Sequence, residues 1–256
     1  YIPPAHQDYA EYTQNEDKHK KSKRYKLDYK YWNDKFTPIP LCSIFQKNII
    51  SLDYNSSEIN KTISLDTFSK IHKFCLKEKV SIQTFFNTVY SVYFHRLTNS
   101  NKYTIGIPVL NRTTVAEYNT IGLYMHIVPL VIELKKNLSF IELAHKTEDS
   151  HMSIFRHQKF TQIEIKNMLY DNNVNVNNLF DVVADYQNFN FNNSYEIKLP
   201  YSNSLSLPLE IHMQSFGDKK HNLKIRYRTA MFSKKEIETM INSFVAIIED
   251  ALENPD

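Results

Sequence analysis

At 256 residues, with 42% hydrophobic and 23% charged side chains, the chain can bury a substantial core and has the composition of a globular protein. A formal net charge of +3 is too slight to point to nucleic acid or an anionic membrane as partner. Two cysteines, Cys42 and Cys75, with no CxxC and no His/Cys cluster at zinc spacing, argue against a disulfide scaffold or a structural metal and fit a reducing cytoplasm.

In chain order, a helix is predicted over 1–36 after Pro3-Pro4. Tyr25, Tyr29, Trp32 and Phe36 fall at i, i+4, i+7 and i+11, one stripe of that helix. The basic run Lys18–Lys26 lies on it; a solvated helix face is the plain reading and an acidic partner surface the alternative. Pro38 and Pro40 stop the helix and open an extended connector, the best place for a boundary between lobes. A short strand over 58–63 leads to Ser64, an N-cap, and a helix with Leu65, Phe68, Ile71 and Cys75 on one face. Ser81 caps the next helix, which is apolar nearly all round and therefore central, with His95 as a core or boundary residue.

Two runs, 103–110 and 123–134, are apolar on both alternating sets, as in strands covered on both faces. They are predicted as inner strands of an α/β sheet. Gly106 and Gly122 stand at their edges, two of only three glycines where an average chain would hold roughly 18. Capping boxes at Ser139–Glu142, Thr161–Glu164 and Ser233–Glu236 mark three further helix starts. Strands are expected near 179–189, 195–199 and 207–216, the last pairing with 222–229 as a hairpin, before a final amphipathic helix that ends at Asn254-Pro255. The sequence has no phosphate-binding glycine loop, GxSxG elbow or HExxH. His145 and Asp149 stand at i, i+4, where an aspartate can orient a histidine base; a surface contact is the plainer reading. His157-Gln158 reads as a polar turn between helices or as a channel wall.

"IGIPVLNR" followed by "IGLYMHIVPL" resembles the paired segments G-x-P-x-x-x-R and (I/V)-G-x-F-V-N-T-x-P-x-R of condensation domains from nonribosomal peptide synthetases. Gly106, Pro108, Asn111 and Arg112 match the first; Ile121, Gly122, Tyr124 and Pro129 match the second. "DYAEYTQ", "DYKYWNDKF", the helix before Gly106, "FRHQKF" and "LFDVVADYQNF" are similar to further family landmarks in the right order, so the resemblance covers nearly the whole chain. The family's H-H-x-x-x-D-G motif has no counterpart, and no two histidines are adjacent.

The resemblance implies the chloramphenicol-acetyltransferase-like fold, a mixed β-sheet flanked by helices. Residues 1–40 would be the last helix of the N-terminal region plus the crossover, and 41–256 the C-terminal lobe. It implies amide-bond formation between thioesters carried on phosphopantetheine arms, with no cofactor bound directly. The implied partners are peptidyl carrier proteins, the N-terminal half of the domain and a neighbouring adenylation domain, with neither nucleic acid nor membrane. No residue of this chain would be catalytic. Asn111, Arg112, Gly122, His126, His157, Gln158, Tyr186 and Gln187 would line the tunnel or the interlobe surface. His126-Ile127 stands for the family's N-T and Lys159 for the aspartate of H-Q-D, while Val176-Asn177-Asn178 replaces R-N-P. A histidine for a tunnel-side asparagine would alter donor selection, or be drift in a structural turn. A non-catalytic or degenerate relative and a coenzyme A-dependent acyltransferase of the same fold are the alternatives.

Overall fold

The computed structural model describes residues 8–45, 53–135, 138–189, 202–217 and 219–256. The N-terminal helical region is two helices, α1 (Tyr9–Lys20) and α2 (Lys23–Lys35), not the single one the periodicity suggests. The break lies at Lys21-Ser22, where the Ser22 hydroxyl accepts from the Tyr25 N–H and starts a new helix. The Pro3-Pro4 start lies outside the described residues. Of the expected stripe, Trp32 and Phe36 are fully buried, whereas Tyr29 is exposed.

The connector then docks on the sheet: Leu41 donates to the Lys102 carbonyl (3.0 Å) and accepts from the Thr104 N–H (3.1 Å). Next come β1 (Ser56–Ile63), α3 (Leu65–Glu78), α4 (Ile82–Thr98), β2 (Lys102–Val109), the single turn α5 (Val115–Tyr118) and β3 (His126–Glu133). They are followed by α6 (Phe140–Arg156), α7 (Gln162–Asp171), β4 (Val182–Asn188), β5 (Leu209–Ser215), β6 (His221–Arg228) and α8 (Lys234–Glu253). All three predicted capping boxes form, and a fourth joins Thr114 to Glu117 at α5. The strand expected over 195–199 lies outside the described residues.

The six strands run in the order β1-β6-β5-β4-β2-β3. The central β2, β4 and β5 are parallel neighbours; β3, β6 and β1 run antiparallel to theirs. Thus β2 is internal as predicted, but among the described residues β3 ends the sheet. It starts at His126, leaving Leu123 (77%) and Met125 (53%) exposed in the preceding loop. Hydrophobic alternation shows that a strand is covered, and cannot show which strand ends the sheet.

The two faces of β4-β5-β6 differ in kind. Ala184, Ile211, Met213, Leu223 and Ile225 form one buried face, against which α3, α4 and α8 lie. The opposite face alternates charges across strands: Lys224 meets Glu58 (3.1 Å), Arg226 meets Glu210 (2.8 Å) and His212 meets Asp185 (2.7 Å). Trp32 and Phe36 belong to the same core as the sheet residues, so α2 is packed into this fold.

The two glycines at the apolar runs have steric causes. A Cβ on Gly106 would stand 2.7 Å from the Phe180 ring and 2.9 Å from Ile127. At Gly122 it would overlap the Tyr9 ring outright. Each glycine therefore marks a close approach, in the sheet and against α1 respectively.

Candidate functional site

Parallel strands β2, β4 and β5 end on the same side of the sheet, where β3 begins, and this end gathers the residues picked out in the sequence. Asn111 follows β2 with φ +53°, a left-handed conformation that asparagine tolerates, and so turns its N–H toward the α6–α7 turn. There it donates to Gln158 Oε1 (2.8 Å), while His126 Nε2 meets the Gln158 carbonyl (2.7 Å). Gln158 is thus the hub that binds the end of β2, the start of β3 and the α6–α7 turn into one unit. Its own amide is fixed on the Phe155 carbonyl (2.9 Å).

A carbonyl can only accept, so His126 Nε2 carries the proton and Nδ1 keeps its lone pair. Burial pushes the His126 imidazolium down, which makes the ring neutral near pH 7. Nδ1, Asn111 Oδ1 and the Tyr124 hydroxyl are buried without a hydrogen-bond partner among the described residues.

Arg112 turns back on its own loop. Its guanidinium donates to the carbonyls of Glu117, Thr120 (2.8 Å) and Gly122 (3.2 Å) and lies 4.0 Å above the Tyr124 ring. Tyr9 reaches the same loop by donating to the Leu123 carbonyl (2.7 Å), and Asn111 Nδ2 donates to the Tyr12 hydroxyl (2.9 Å). The loop is bolted from both sides. Apart from the buried Tyr124, its large apolar side chains nevertheless face outward: Leu110 57%, Val115 74%, Tyr118 59% and Ile121 97% exposed.

His157 is separate from this hub. It meets the buried Asp28 carboxylate (2.7 Å) and stacks on Tyr31 at 4.1 Å, while its carbonyl accepts from Trp32 Nε1 (3.3 Å). It ties α6 to α2. Tyr186 and Gln187 lie on opposite faces of β4. The Tyr186 N–H is held by Gln83, and Gln187 joins the charged face through Asp185 (2.9 Å) and Gln214 (2.8 Å). The expected His145–Asp149 pairing is replaced: His145 meets Glu78 of α3 at 3.5 Å.

Three site features escape the sequence reading. Lys159 meets Glu117 (2.9 Å) and the Asn111 carbonyl (3.1 Å) and stands over the Tyr12 ring. Burial raises the Glu117 pKa, but Thr113 N–H and Lys159 outweigh it and hold the carboxyl below the usual range. The Thr114-x-x-Glu117 spacing is the signal that was available, masked because it opens a helix of one turn. Asp28, 1% exposed, gathers His19 (3.1 Å), Arg24 (3.2 Å) and His157; an acid within the Tyr25–Trp32 stripe was its mark.

The mixed sheet with its helical layer is the architecture of chloramphenicol-acetyltransferase-like proteins. It superposes on the first condensation domain of the CDA synthetase with a TM-score of 0.80 at 13% identity, covering 98% of this chain and 56% of that one. On the condensation domain of the monacolin K polyketide synthase MokA the TM-score is 0.79 at 17% identity, covering 100% and 62%. The family described as Condensation domain matches residues 2–256, and the chain belongs to that family. Surfactin synthase subunit 1 of Bacillus subtilis (strain 168) is 24% identical over 254 residues, 97% of this chain and 7% of the relative. Bacitracin synthase 1 of Bacillus licheniformis is 18% identical over 268 residues, 100% of this chain and 5% of its own length. The chain therefore spans little more than half of the solved condensation domains and a small part of the synthetases. No helix among the described residues is long and apolar enough to cross a membrane.

Proposed function

We propose that the chain is the C-terminal lobe of a nonribosomal peptide synthetase condensation domain, residues 41–256 forming the lobe and 1–40 the terminal helix of the N-terminal region together with the crossover. In that role it walls a tunnel in which two carrier proteins present thioesters on phosphopantetheine arms. The amine of one attacks the thioester carbonyl of the other, the thiolate leaves and an amide forms. Holding both reactants in line is the contribution of the walls, and it removes much of the entropic barrier. Proton transfer belongs to the H-H-x-x-x-D-G motif, which this sequence lacks, so the lobe alone does not catalyse.

The observation that carries this reading is coverage: 98% of the chain matches 56% of a solved condensation domain. The bolted, outward-apolar loop 110–125 supports it as the surface on which the N-terminal half sits. Asn111, Arg112, Gly122, His126 and Gln158 then shape the tunnel end near that contact. Tyr186 and Gln187 serve the interlobe side, and His157 serves only to hold α2. Carrier proteins and an adenylation domain are the further partners in this reading.

The test supplies the chain with donor and acceptor carrier proteins loaded as aminoacyl thioesters and follows dipeptide by mass spectrometry. No amide above background is expected. Adding the separately expressed N-terminal half of a related condensation domain is expected to restore product. Amide from the chain alone would overturn the division of labour.

A further inference from the structure

The junction of α1 and α2 concentrates the charge of the whole chain. Between residues 18 and 30 lie seven cations (Lys18, Lys20, Lys21, Lys23, Arg24, Lys26, Lys30) and one acid, Asp28. This segment carries +6 in a chain of net +3, leaving the remainder at −3. All seven cations are exposed, and the acid is buried. Arg24 is held by Asp28, and Lys20 stands 4.0 Å from Asp17; Lys21, Lys23, Lys26 and Lys30 have no ion pair among the described residues.

The placement is also unfavourable for the fold. The first turn of α2 contains no acid, and Lys23, Arg24 and Lys26 stand at its positive end, where the helix dipole repels cations. Arg24 recovers that cost through Asp28 and the Arg156 carbonyl, whereas Lys23 and Lys26 break the local rule with no ion pair among the described residues, the mark of a surface kept for a contact. We infer that the α1–α2 junction is a docking face for a compact acidic surface of a partner protein. The patch spans on the order of 20 Å of helix axis, which suits a single helix or loop of a partner. A long polyanion such as nucleic acid would run on to the negative remainder and be repelled there. The inference stands independently of the acyl-transfer reading.

The test is an NMR titration of the full chain with a 12-residue poly-L-glutamate peptide and, separately, a 12-base-pair DNA duplex, at low and at 0.2 M salt. The glutamate peptide is expected to shift amides of residues 18–30 selectively and to weaken with salt. The variant Lys21→Glu/Lys23→Glu/Lys26→Glu is expected to lose affinity about tenfold or more. The equal charge change Lys73→Glu/Lys234→Glu/Lys235→Glu is expected to leave affinity within about twofold. Circular dichroism checks folding, and the triple Lys→Gln variant at 21, 23 and 26 replaces the reversal if that does not fold. Shifts spread over lysines of the whole surface, equal losses in both triple variants, or tighter binding of DNA than of the peptide would each overturn the proposal.

Discussion

Two histidines, the buried His151 in α6 and the half-buried His126 at the start of β3, solve the same problem differently. His151 is 1% exposed, and both ring nitrogens are engaged: Nδ1 meets Thr84 Oγ1 (2.8 Å) and Nε2 meets Asn87 (3.0 Å). Glu148 completes the network by accepting from the N–H and hydroxyl of Ser81 at the start of α4. His126 has one nitrogen engaged and one buried without a partner among the described residues. A fully satisfied polar network is scaffold, since it fixes one packing of α4 on α6. An unsatisfied one costs stability and is kept where something besides stability is selected. The contrast separates the helical layer from the β2–β3 end of the sheet.

The largest effect that would sharpen this comparison is expected from His151→Leu. It strands the polar groups of Thr84 and Asn87 in the core, and unfolding in urea should show a loss of about 3 kcal/mol. A loss below about 1 kcal/mol would break the scaffold reading.

Next comes the pH dependence. Burial lowers His151 from 6.5 to about 4, so its contribution is complete above pH 6.5 and drains away as pH falls toward 4. His212 behaves oppositely. Burial there is outweighed by Asp185 and Glu210, which raise it from 6.5 to about 9. Its contribution is complete below pH 6.5 and is lost as pH rises through 9. Stability measured against pH should therefore have an acid limb that shrinks in His151→Leu and an alkaline limb that shrinks in His212→Phe. His126, lowered by burial, acts on the acid limb in the same direction.

The glycines divide along the same line. Gly106→Ala forces a methyl into Phe180 and Ile127 within the sheet and should cost about 2 kcal/mol. Gly122→Ala pushes against the Tyr9 ring, which can swing outward, and about 1 kcal/mol is expected. Hydrogen exchange should then rise in 119–125 for Gly122→Ala and across β2 and β4 for Gly106→Ala. Smallest of all is His126→Asn, the family's own residue, with a change under about 1 kcal/mol in the melting profile. A larger loss would make His126 scaffold like His151.

Much of the fold was legible because its signals are local. Ser139, Thr161 and Ser233 each announce a helix through a reciprocal bond with a glutamate three residues on, and all three form. Ser22 also caps a helix, but its successor is Lys23-Arg24 without a glutamate at the third position, so the break between α1 and α2 left no matching pattern. The site was legible only as a set of residues. Asn111, His126 and Gln158 are far apart in the chain, and nothing in their spacing says that one glutamine side chain and one carbonyl join them. Lys159 shows the same gap: its departure from the family aspartate was plain, while its partner Glu117 depended on a turn that periodicity does not reveal.

The pairing of β1 with β6 has a consequence for synthesis and handling of the chain. Strand β1 is completed early, yet its neighbour in the sheet among the described residues is β6, more than 150 residues later in the chain. Until His221–Arg228 leaves the ribosome, β1 and β5 each expose an open row of backbone donors and acceptors to any passing strand. Any cut before β6 leaves those edges open permanently, so shortened versions should accumulate as aggregates rather than as smaller folded pieces. The yield of the intact sheet from cells would then track chaperone supply during translation more closely than final stability.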